Sequence, residues 1–185
     1  MDLYKNIEKQ ELKNAILERE IVLFDLNGTL FPDIDARKNL LLLPNFLLLK
    51  NGRLKCIKNA DKFVFKLKND YNKKIGLVSN TSDNLFQKYS TNPIFENFDN
   101  ITISGTYAKR KSKFLYLEAA DNLKTNSDGC FVFEDTEEGV DAALDAGMKV
   151  CAVYNPLGVS NSERELIKSR TPYSMNNYGE VLNML

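Results

Sequence analysis

Short apolar runs alternate with helix-patterned segments along most of this chain, and this alternation limits its possible folds more than any other feature. Short apolar runs are typical of buried strands, whereas apolar residues spaced three or four apart are typical of helices. We expect strands near residues 20–25, 74–78, 100–104, 130–133 and 149–153, and helices near 57–69, 82–89, 113–122, 137–146 and 161–169. The predicted fold is therefore α/β, a Rossmann-like parallel sheet with helices on both faces.

The end of the first strand carries the most informative polar residues. The apolar run Ile21-Val-Leu-Phe24 is followed at once by Asp25-Leu-Asn27-Gly28-Thr29. Gly28 permits a tight turn, and ligands of open α/β sheets bind at the carboxyl ends of the strands. The same residues are also good chemistry for an ordinary turn, so this segment alone fits either a site or a plain junction.

Two further strand ends favour the site. The strand at 74–78 leads into Ser79, and the strand at 130–133 leads into Glu134 and Asp135. Between them a basic turn, 109–111, precedes the helix expected near 113–122. Because parallel strands end at one edge of a sheet, we expect these groups to converge there.

The order and contexts of these four motifs resemble the haloacid dehalogenase (HAD) superfamily of phosphohydrolases, over about residues 20–185. The resemblance implies hydrolysis of phosphate monoesters with Asp25 as the nucleophile, through an aspartyl-phosphate. It also implies a Mg²⁺ cofactor. Asp25 and Asp135 are the first candidate ligands, the backbone carbonyl of Asn27 is a further one, and Glu134 is a direct or water-mediated helper.

Phosphate contacts are expected from Ser79, Asn80 and Thr29, and from a lysine. Counting forward from Ser104-Gly105 favours Lys111 as that lysine. Counting back from the helix that contains Leu115 lands on Arg110, and Lys109 is the reserve choice. The alternatives Lys109 and Lys111 therefore stay open at this point.

Asn27 is the sharpest departure from the family pattern, which usually has at this position an Asp that protonates the leaving group. An amide can hydrogen-bond but cannot donate a proton usefully at neutral pH. General acid–base help is typically worth roughly 10²–10⁴-fold. The chain is then a slow phosphatase, an enzyme for substrates with good leaving groups, a phosphate-holding protein with little turnover, or an engineered Asp-to-Asn variant.

The leading functional hypothesis is a Mg²⁺-dependent phosphohydrolase. The intact set Asp25, Ser79, Glu134 and Asp135 favours it, whereas Asn27 favours a HAD-fold binding or regulatory module that turns over little substrate. A sugar phosphomutase is a weaker hypothesis, because it needs a cap that retains an intermediate. A halide-releasing dehalogenase is weaker still, because the acidic pair serves phosphate.

Composition narrows the partners and the location. Equal counts of acidic and basic residues, 25 each, give no electrostatic argument for nucleic acid or an anionic membrane. The absence of histidine excludes His-based catalysis and His-ligated metals. Three cysteines without a CxxC motif, and a charged first twenty residues, predict a reduced, cytoplasmic protein without a signal peptide. The expected partner is a phosphorylated small molecule or macromolecule.

The predicted organisation is a single HAD-like domain over 1–185. An amphipathic helix is expected over 1–19, and an insert over 31–56 is expected to form a small β-hairpin flap, because Asn51-Gly52 separates two apolar runs. The insert is far too short for a helical cap. Its leucine-rich stretch, 40–49, either packs on the core or contacts a second subunit, which makes a homo-oligomer one expectation.

Overall fold

A computed structural model of the chain describes residues 2–32, 49–50, 53–105, 111–154 and 161–185. The strands are β1 (Ile21–Phe24), β2 (Leu49–Lys50), β3 (Arg53–Leu54), β4 (Lys74–Ser82), β5 (Asn100–Gly105), β6 (Cys130–Glu134), β7 (Lys149–Val153) and β8 (Tyr173–Met175). Six of them form a central, wholly parallel sheet with the strand order β5-β4-β1-β6-β7-β8. The helices are α1 (Asp2–Leu17), α2 (Ala60–Asn69), α3 (Asp83–Ser90), α4 (Lys113–Asn122), α5 (Glu137–Asp145), α6 (Asn161–Arg170) and α7 (Tyr178–Leu182).

Helices cover both faces of the sheet, as the sequence predicts. Alternate residues of β1 fall into two separate apolar clusters, with Val22 and Phe24 in one and Ile21 and Leu23 in the other. The first cluster is completed by buried residues of α1, α2 and α7, and the second by buried residues of α4, α5 and α6. All four residues of β1 are fully buried, which is why this strand reads as a continuous apolar run.

The strand register brings the predicted site residues to one level at the carboxyl edge. Phe24, the last residue of β1, pairs with Leu77 on one side and with Phe133 on the other. The next residue along, Asp25, continues this ladder by donating its backbone N–H to the carbonyl of Phe133, at 3.0 Å. Asp25 is therefore level with Glu134, the residue after Phe133.

The structure differs from the sequence prediction in a few places. Strand β4 runs to Ser82 instead of ending near 78, because it pairs with β5 as far as Ser82 and Gly105, across an irregularity after Ser79. Two short elements at the end of the chain, β8 and α7, were not predicted. Among the described helices, none combines the length and the hydrophobicity that a membrane crossing requires.

The predicted hairpin is confirmed in its two strands. Strands β2 and β3 pair antiparallel, with Leu49 opposite Leu54 and Lys50 opposite Arg53. Its turn, 51–52, and most of the leucine-rich stretch, 40–48, lie outside the described residues. Downstream of the hairpin, the backbone N–H of Ile57 donates to the carbonyl of Leu30 at 2.8 Å, so the two ends of the insert meet beside the loop that follows β1.

Candidate active site

The loop after β1 is closed by its own backbone. The N–H groups of Leu30 and Phe31 both donate to the carbonyl of Leu26, at 3.0 and 2.9 Å, and the N–H of Gly28 donates to the carbonyl of Phe31 at 2.6 Å. Gly28 has a φ of +85°, a conformation that side chains disfavour, so glycine is required at this turn. This loop fixes Asp25 and Asn27 at the sheet edge.

A buried lysine lies against Asp25. The Lys111 Nζ donates to Asp25 Oδ1, to Glu134 Oε1 at 2.5 Å and to the carbonyl oxygen of Val78 at 3.1 Å. The side chains of Lys111, Asp25 and Glu134 are only 5%, 7% and 0% exposed. The lysine therefore connects the end of β1, the end of β6 and the middle of β4 in one desolvated ion-pair network.

Five hydrogen-bond donors surround the Glu134 carboxylate. Its Oε1 accepts from Lys111 and from the Tyr116 hydroxyl at 2.9 Å. Its Oε2 accepts from the backbone N–H groups of Asp135 and Thr136, at 3.0 and 3.1 Å, and from the Thr136 hydroxyl at 3.0 Å. A carboxylate offers about four lone-pair sites, so this arrangement uses the whole acceptor capacity of Glu134.

The space for this carboxylate depends on a glycine of α5. A Cβ atom built on Gly139 would lie 2.1 Å from the Glu134 carboxyl carbon. Thr136 caps the same helix, since its hydroxyl accepts from the Gly139 N–H at 3.1 Å. The first turn of α5 therefore packs directly against the buried Glu134 carboxylate, and any side chain at position 139 would displace Glu134.

Three carboxylates form a group that fits a hard divalent cation. Asp25, Glu134 and Asp135 are all buried, and each offers an oxygen within 4.8 Å of the other two. The Thr29 hydroxyl donates to Asp135 Oδ1 at 3.1 Å and so orients that carboxylate. Among the described residues, Lys111 is the ammonium in this group, and it pairs with Asp25 and Glu134. When the ammonium and all three carboxylates are ionised, the cluster keeps two negative charges, which a Mg²⁺ ion would neutralise.

Burial and charge raise the pKa values of both Asp25 and Lys111. Burial raises the pKa of Asp25 to about 7, against the lowering effect of the Lys111 charge. Burial alone would lower the pKa of Lys111, but the charges of Asp25 and Glu134 outweigh it and raise that pKa above its usual range. Without a metal ion, Asp25 therefore titrates near neutrality while Lys111 stays protonated.

The structure places the other predicted residues as follows. Ser79 lies two residues after Leu77, the β4 residue that pairs with Phe24. Ser79 is buried, and its hydroxyl accepts from the Thr81 N–H at 3.3 Å. Asn80 follows it, and its carbonyl accepts from the Ser104 hydroxyl at 3.1 Å. Lys111, one of the two alternative lysines, lies against Asp25. Lys109 lies outside the described residues, as does Arg110.

Three buried tyrosines belong to the surroundings of the site and were not predicted. Tyr116 donates to Glu134, the Tyr178 hydroxyl donates to the carbonyl of Thr29 at 3.2 Å, and the Tyr89 hydroxyl donates to Asn27 Oδ1 at 2.7 Å. All three are at most 1% exposed. Their contacts join residues far apart in sequence, and no local motif marks them.

The family model of the haloacid dehalogenase-like hydrolases matches residues 47–153, more than half of the chain. The chain belongs to the haloacid dehalogenase-like hydrolases. The family and the enzyme class predicted from the sequence are thereby confirmed. The matched segment holds Ser79, Lys111, Glu134 and Asp135 but begins after Asp25. The connection of Asp25 to the HAD-like site therefore depends on the contacts described above. No curated protein matches the chain.

Solved structures support the fold of this HAD-like hydrolase. A HAD-superfamily hydrolase from Ehrlichia chaffeensis is 17% identical and has a TM-score of 0.65, with 90% of this chain and 96% of that chain covered. A predicted phosphoglycolate phosphatase from Haemophilus somnus is 14% identical, with a TM-score of 0.66 and coverage of 90% and 98%. A putative β-phosphoglucomutase from Thermotoga maritima is 17% identical, with a TM-score of 0.65 and coverage of 89% and 98%.

Proposed function

We propose that this HAD-like hydrolase cleaves phosphoryl compounds in a Mg²⁺-dependent reaction that passes through an aspartyl-phosphate on Asp25. The observation that carries the proposal is the contact between Asp25 and Lys111, both almost fully buried at the carboxyl edge of the sheet. An ion pair so deeply buried at a sheet edge is costly to desolvate, and such groups cluster at functional sites.

The chemistry assigned to Asp25 has two steps. In the first, an Asp25 carboxylate oxygen attacks phosphorus, and the bond from phosphorus to the leaving-group oxygen breaks with its electron pair on that oxygen. In the second, a water oxygen attacks phosphorus and the bond from phosphorus to Asp25 breaks with its electron pair on the carboxylate, so that the water protons leave with inorganic phosphate and the solvent. The Lys111 ammonium stays within hydrogen-bond reach of Asp25 and offsets the charge of the transferred group throughout.

Mg²⁺, when bound, would neutralise phosphate charge and hold the phosphoryl group close to the nucleophile. Asp25 and Asp135 are the residues that we propose as its side-chain ligands, with the backbone carbonyl of Asn27 as the resemblance implies. Glu134, whose two oxygens already accept five hydrogen bonds, we assign to holding Lys111 and to a water-mediated contact with the ion.

The phosphoryl oxygens would be held by Ser79 and Asn80. Both lie shortly after Leu77, the β4 residue that pairs with the last residue of β1, and therefore near the same edge of the sheet. Thr29 was predicted as a phosphate contact as well. Its hydroxyl donates to Asp135, so in this proposal it orients a metal ligand. These roles remain predictions, as does the choice between small and macromolecular substrates, the homo-oligomer and the cytoplasmic location.

Asn27 supports a second candidate function. Because the amide supplies no proton to a leaving group, the fold would also serve as a phosphate- or phosphoryl-binding module with slow turnover. The two candidates make opposite predictions for a substrate whose leaving group needs no proton: the enzyme turns it over many times, whereas the module binds it and stops.

The test is a steady-state assay of 4-nitrophenyl phosphate and acetyl phosphate, with Mg²⁺ and with EDTA. We expect turnover only with Mg²⁺ and none in Asp25→Ala. Isothermal calorimetry with fluoroberyllate, an analogue of the aspartyl-phosphate, should show Mg²⁺-dependent binding to the wild type and none to Asp25→Ala. Activity retained in Asp25→Ala would contradict the mechanism. Fluoroberyllate binding without turnover of either compound would favour the binding module.

A further inference from the structure

Asn27 has a partner that the phosphohydrolase proposal does not use. Every residue from Ile21 to Phe31 is buried except Asn27, which is partly exposed at the open edge of the sheet, two residues after Asp25. Its side-chain oxygen Oδ1 accepts a hydrogen bond of 2.7 Å from the hydroxyl of Tyr89. A partly exposed asparagine in a loop is ordinarily free to turn its amide, and in the structure this contact holds the amide with Oδ1 toward Tyr89.

Tyr89 is itself held rigidly. It lies near the end of α3 and is only 1% exposed. Its ring packs against that of Phe31, with a centroid separation of 5.1 Å, and Phe31 belongs to the same closed loop as Asn27. The phenol is therefore a fixed donor, supported by the loop whose side chain it contacts.

The consequence for the amide is geometric. A side-chain amide has an oxygen acceptor on one side and an NH₂ donor on the other. Because the phenol donates to Oδ1, the NH₂ group must point away from Tyr89. Asn27 is therefore presented to the site as an oriented hydrogen-bond donor that carries no transferable proton.

Among the groups described at this edge, none is left to supply a proton to a leaving group, because the three N–H donors of Lys111 are already taken by Asp25, Glu134 and Val78. Asp25, Glu134 and Asp135 belong to the nucleophile and cation cluster, and the chain contains no histidine. A departing oxygen would thus receive a hydrogen bond from the Asn27 NH₂ group but no proton. Alkoxides are too basic to leave without being protonated, whereas carboxylates leave as stable anions.

We propose that Tyr89 is a positioning residue that directs the Asn27 NH₂ group at the leaving-group oxygen, and that this pair adapts the site to acyl phosphates. The inference rests on the phosphohydrolase proposed above. In the first step the bond between Asp25 and phosphorus forms while the bond from phosphorus to the acyl oxygen breaks. The carboxylate departs with the electron pair, so no proton is needed.

The experiment is a double-mutant cycle of Tyr89→Phe and Asn27→Ala, measured with acetyl phosphate and phenyl phosphate in Mg²⁺. Tyr89→Phe keeps the ring and removes only the hydroxyl. The matched control is Tyr178→Phe, which removes another buried hydroxyl, one that contacts the backbone of Thr29. Each variant keeps the buried ring and loses only the hydroxyl, so thermal unfolding should show that both variants remain folded.

We expect the wild type to cleave acetyl phosphate at least about 100-fold faster than phenyl phosphate, since general acid help is worth roughly 10²–10⁴-fold. Asn27→Ala should lower kcat by about 100-fold on phenyl phosphate, as loss of a transition-state donor does, and by less on acetyl phosphate. Tyr89→Phe should lower kcat about tenfold with KM little changed. In the Asn27→Ala background it should have no effect, because it acts only through that amide.

Three results would overturn the inference while leaving the proposed function standing. One is a Tyr89→Phe effect of equal size with and without Asn27. Another is an equal coupling of Tyr178→Phe to Asn27→Ala, which would indicate a general structural effect. The third is a wild type that cleaves phenyl phosphate as readily as acetyl phosphate. A wild type that is inactive on both compounds and binds no fluoroberyllate overturns the proposed function itself, and this inference with it.

Discussion

Replacing Lys111 by Met tests the network at the centre of the site. Methionine fills a similar volume with an unbranched apolar chain, so the substitution removes the ammonium while keeping most of the packing. It leaves the buried carboxylates of Asp25 and Glu134 without their shared counter-charge and deprives the Val78 carbonyl of a donor. The remaining donors to Glu134 come from Tyr116, Asp135 and Thr136.

The expected cost is large for a single substitution. Removing one partner of a buried ion pair typically costs about 3–5 kcal/mol, because a charge is left buried and unpaired. For a chain of this length each kcal/mol lowers the melting temperature by about 2–4 °C. We therefore expect Lys111→Met to melt about 6–20 °C below the wild type when no metal is present.

The cost should depend on pH in a definite direction. Burial already raises the pKa of Asp25 to about 7, and the Lys111 charge is what restrains it. A carboxyl with a raised folded-state pKa contributes stability below its unfolded pKa and loses that contribution as the pH rises through the folded value. Lys111→Met raises that pKa further, so its cost should be smallest at acidic pH, grow as the pH rises through about 7, and reach full size only above the higher Asp25 pKa of the variant.

The assay is thermal unfolding in EDTA and in Mg²⁺, at acidic and alkaline pH. The matched control is Lys113→Met, since Lys113 is exposed and should change the free energy of unfolding by less than about 0.5 kcal/mol. Mg²⁺ should restore part of the loss in Lys111→Met, because the ion supplies positive charge to the same carboxylates. A Lys111→Met protein as stable as Lys113→Met, or one indifferent to Mg²⁺, would refute the reasoning.

Three further predictions follow from the same site. Gly139→Ala should destabilise the fold by several kcal/mol and lower activity, because the alanine Cβ would clash with the Glu134 carboxylate. This clash should outweigh the gain of about 1 kcal/mol in helix propensity that alanine has over glycine. Unchanged unfolding would contradict the described packing. Asp135→Ala should weaken Mg²⁺ binding in calorimetry far more than Glu138→Ala, and equal effects would mean that the cation site is misplaced. Asn27→Asp should speed the hydrolysis of alkyl phosphates more than that of aryl phosphates, by about tenfold or more, and no gain on either would mean that position 27 does not limit the rate.

The sheet could be predicted from the sequence because each central strand is buried on both faces. Strands such as β1 and β6 are apolar runs that stop at acidic residues, Asp25 directly after β1 and Glu134 as the last residue of β6. The last strand and helix were missed for the opposite reason. Strand β8 has three residues and α7 has five, so neither is long enough to show a period.

Some residues of the site could likewise be predicted from the sequence, and others could not. Asp25, Glu134 and Asp135 follow strands directly, so sequence order and the parallel sheet were enough to predict their convergence. The sequence does not fix which lysine of the run 109–111 reaches Asp25, and the contact of Lys111 is known only from the three-dimensional structure.

The tyrosines could not have been predicted from a single sequence. Tyr89 reaches Asn27 across 62 residues and Tyr178 reaches Thr29 across 149. A tyrosine in a helical pattern is ordinarily a core residue, and the contact of its hydroxyl is decided by packing that no local pattern encodes. The saturation of Glu134 by five donors is likewise visible only once α4 and α5 are placed.

The central claim is that Asp25 carries the phosphoryl group, and direct chemical trapping tests it. Borohydride reduces an aspartyl-phosphate to homoserine, which mass spectrometry locates in the peptide. After brief incubation with acetyl phosphate and Mg²⁺, followed by borohydride, we predict homoserine at position 25 and nowhere else, and none when EDTA replaces Mg²⁺. Homoserine at any other aspartate, or a protein that turns over acetyl phosphate without any reduced residue at Asp25, would contradict the account.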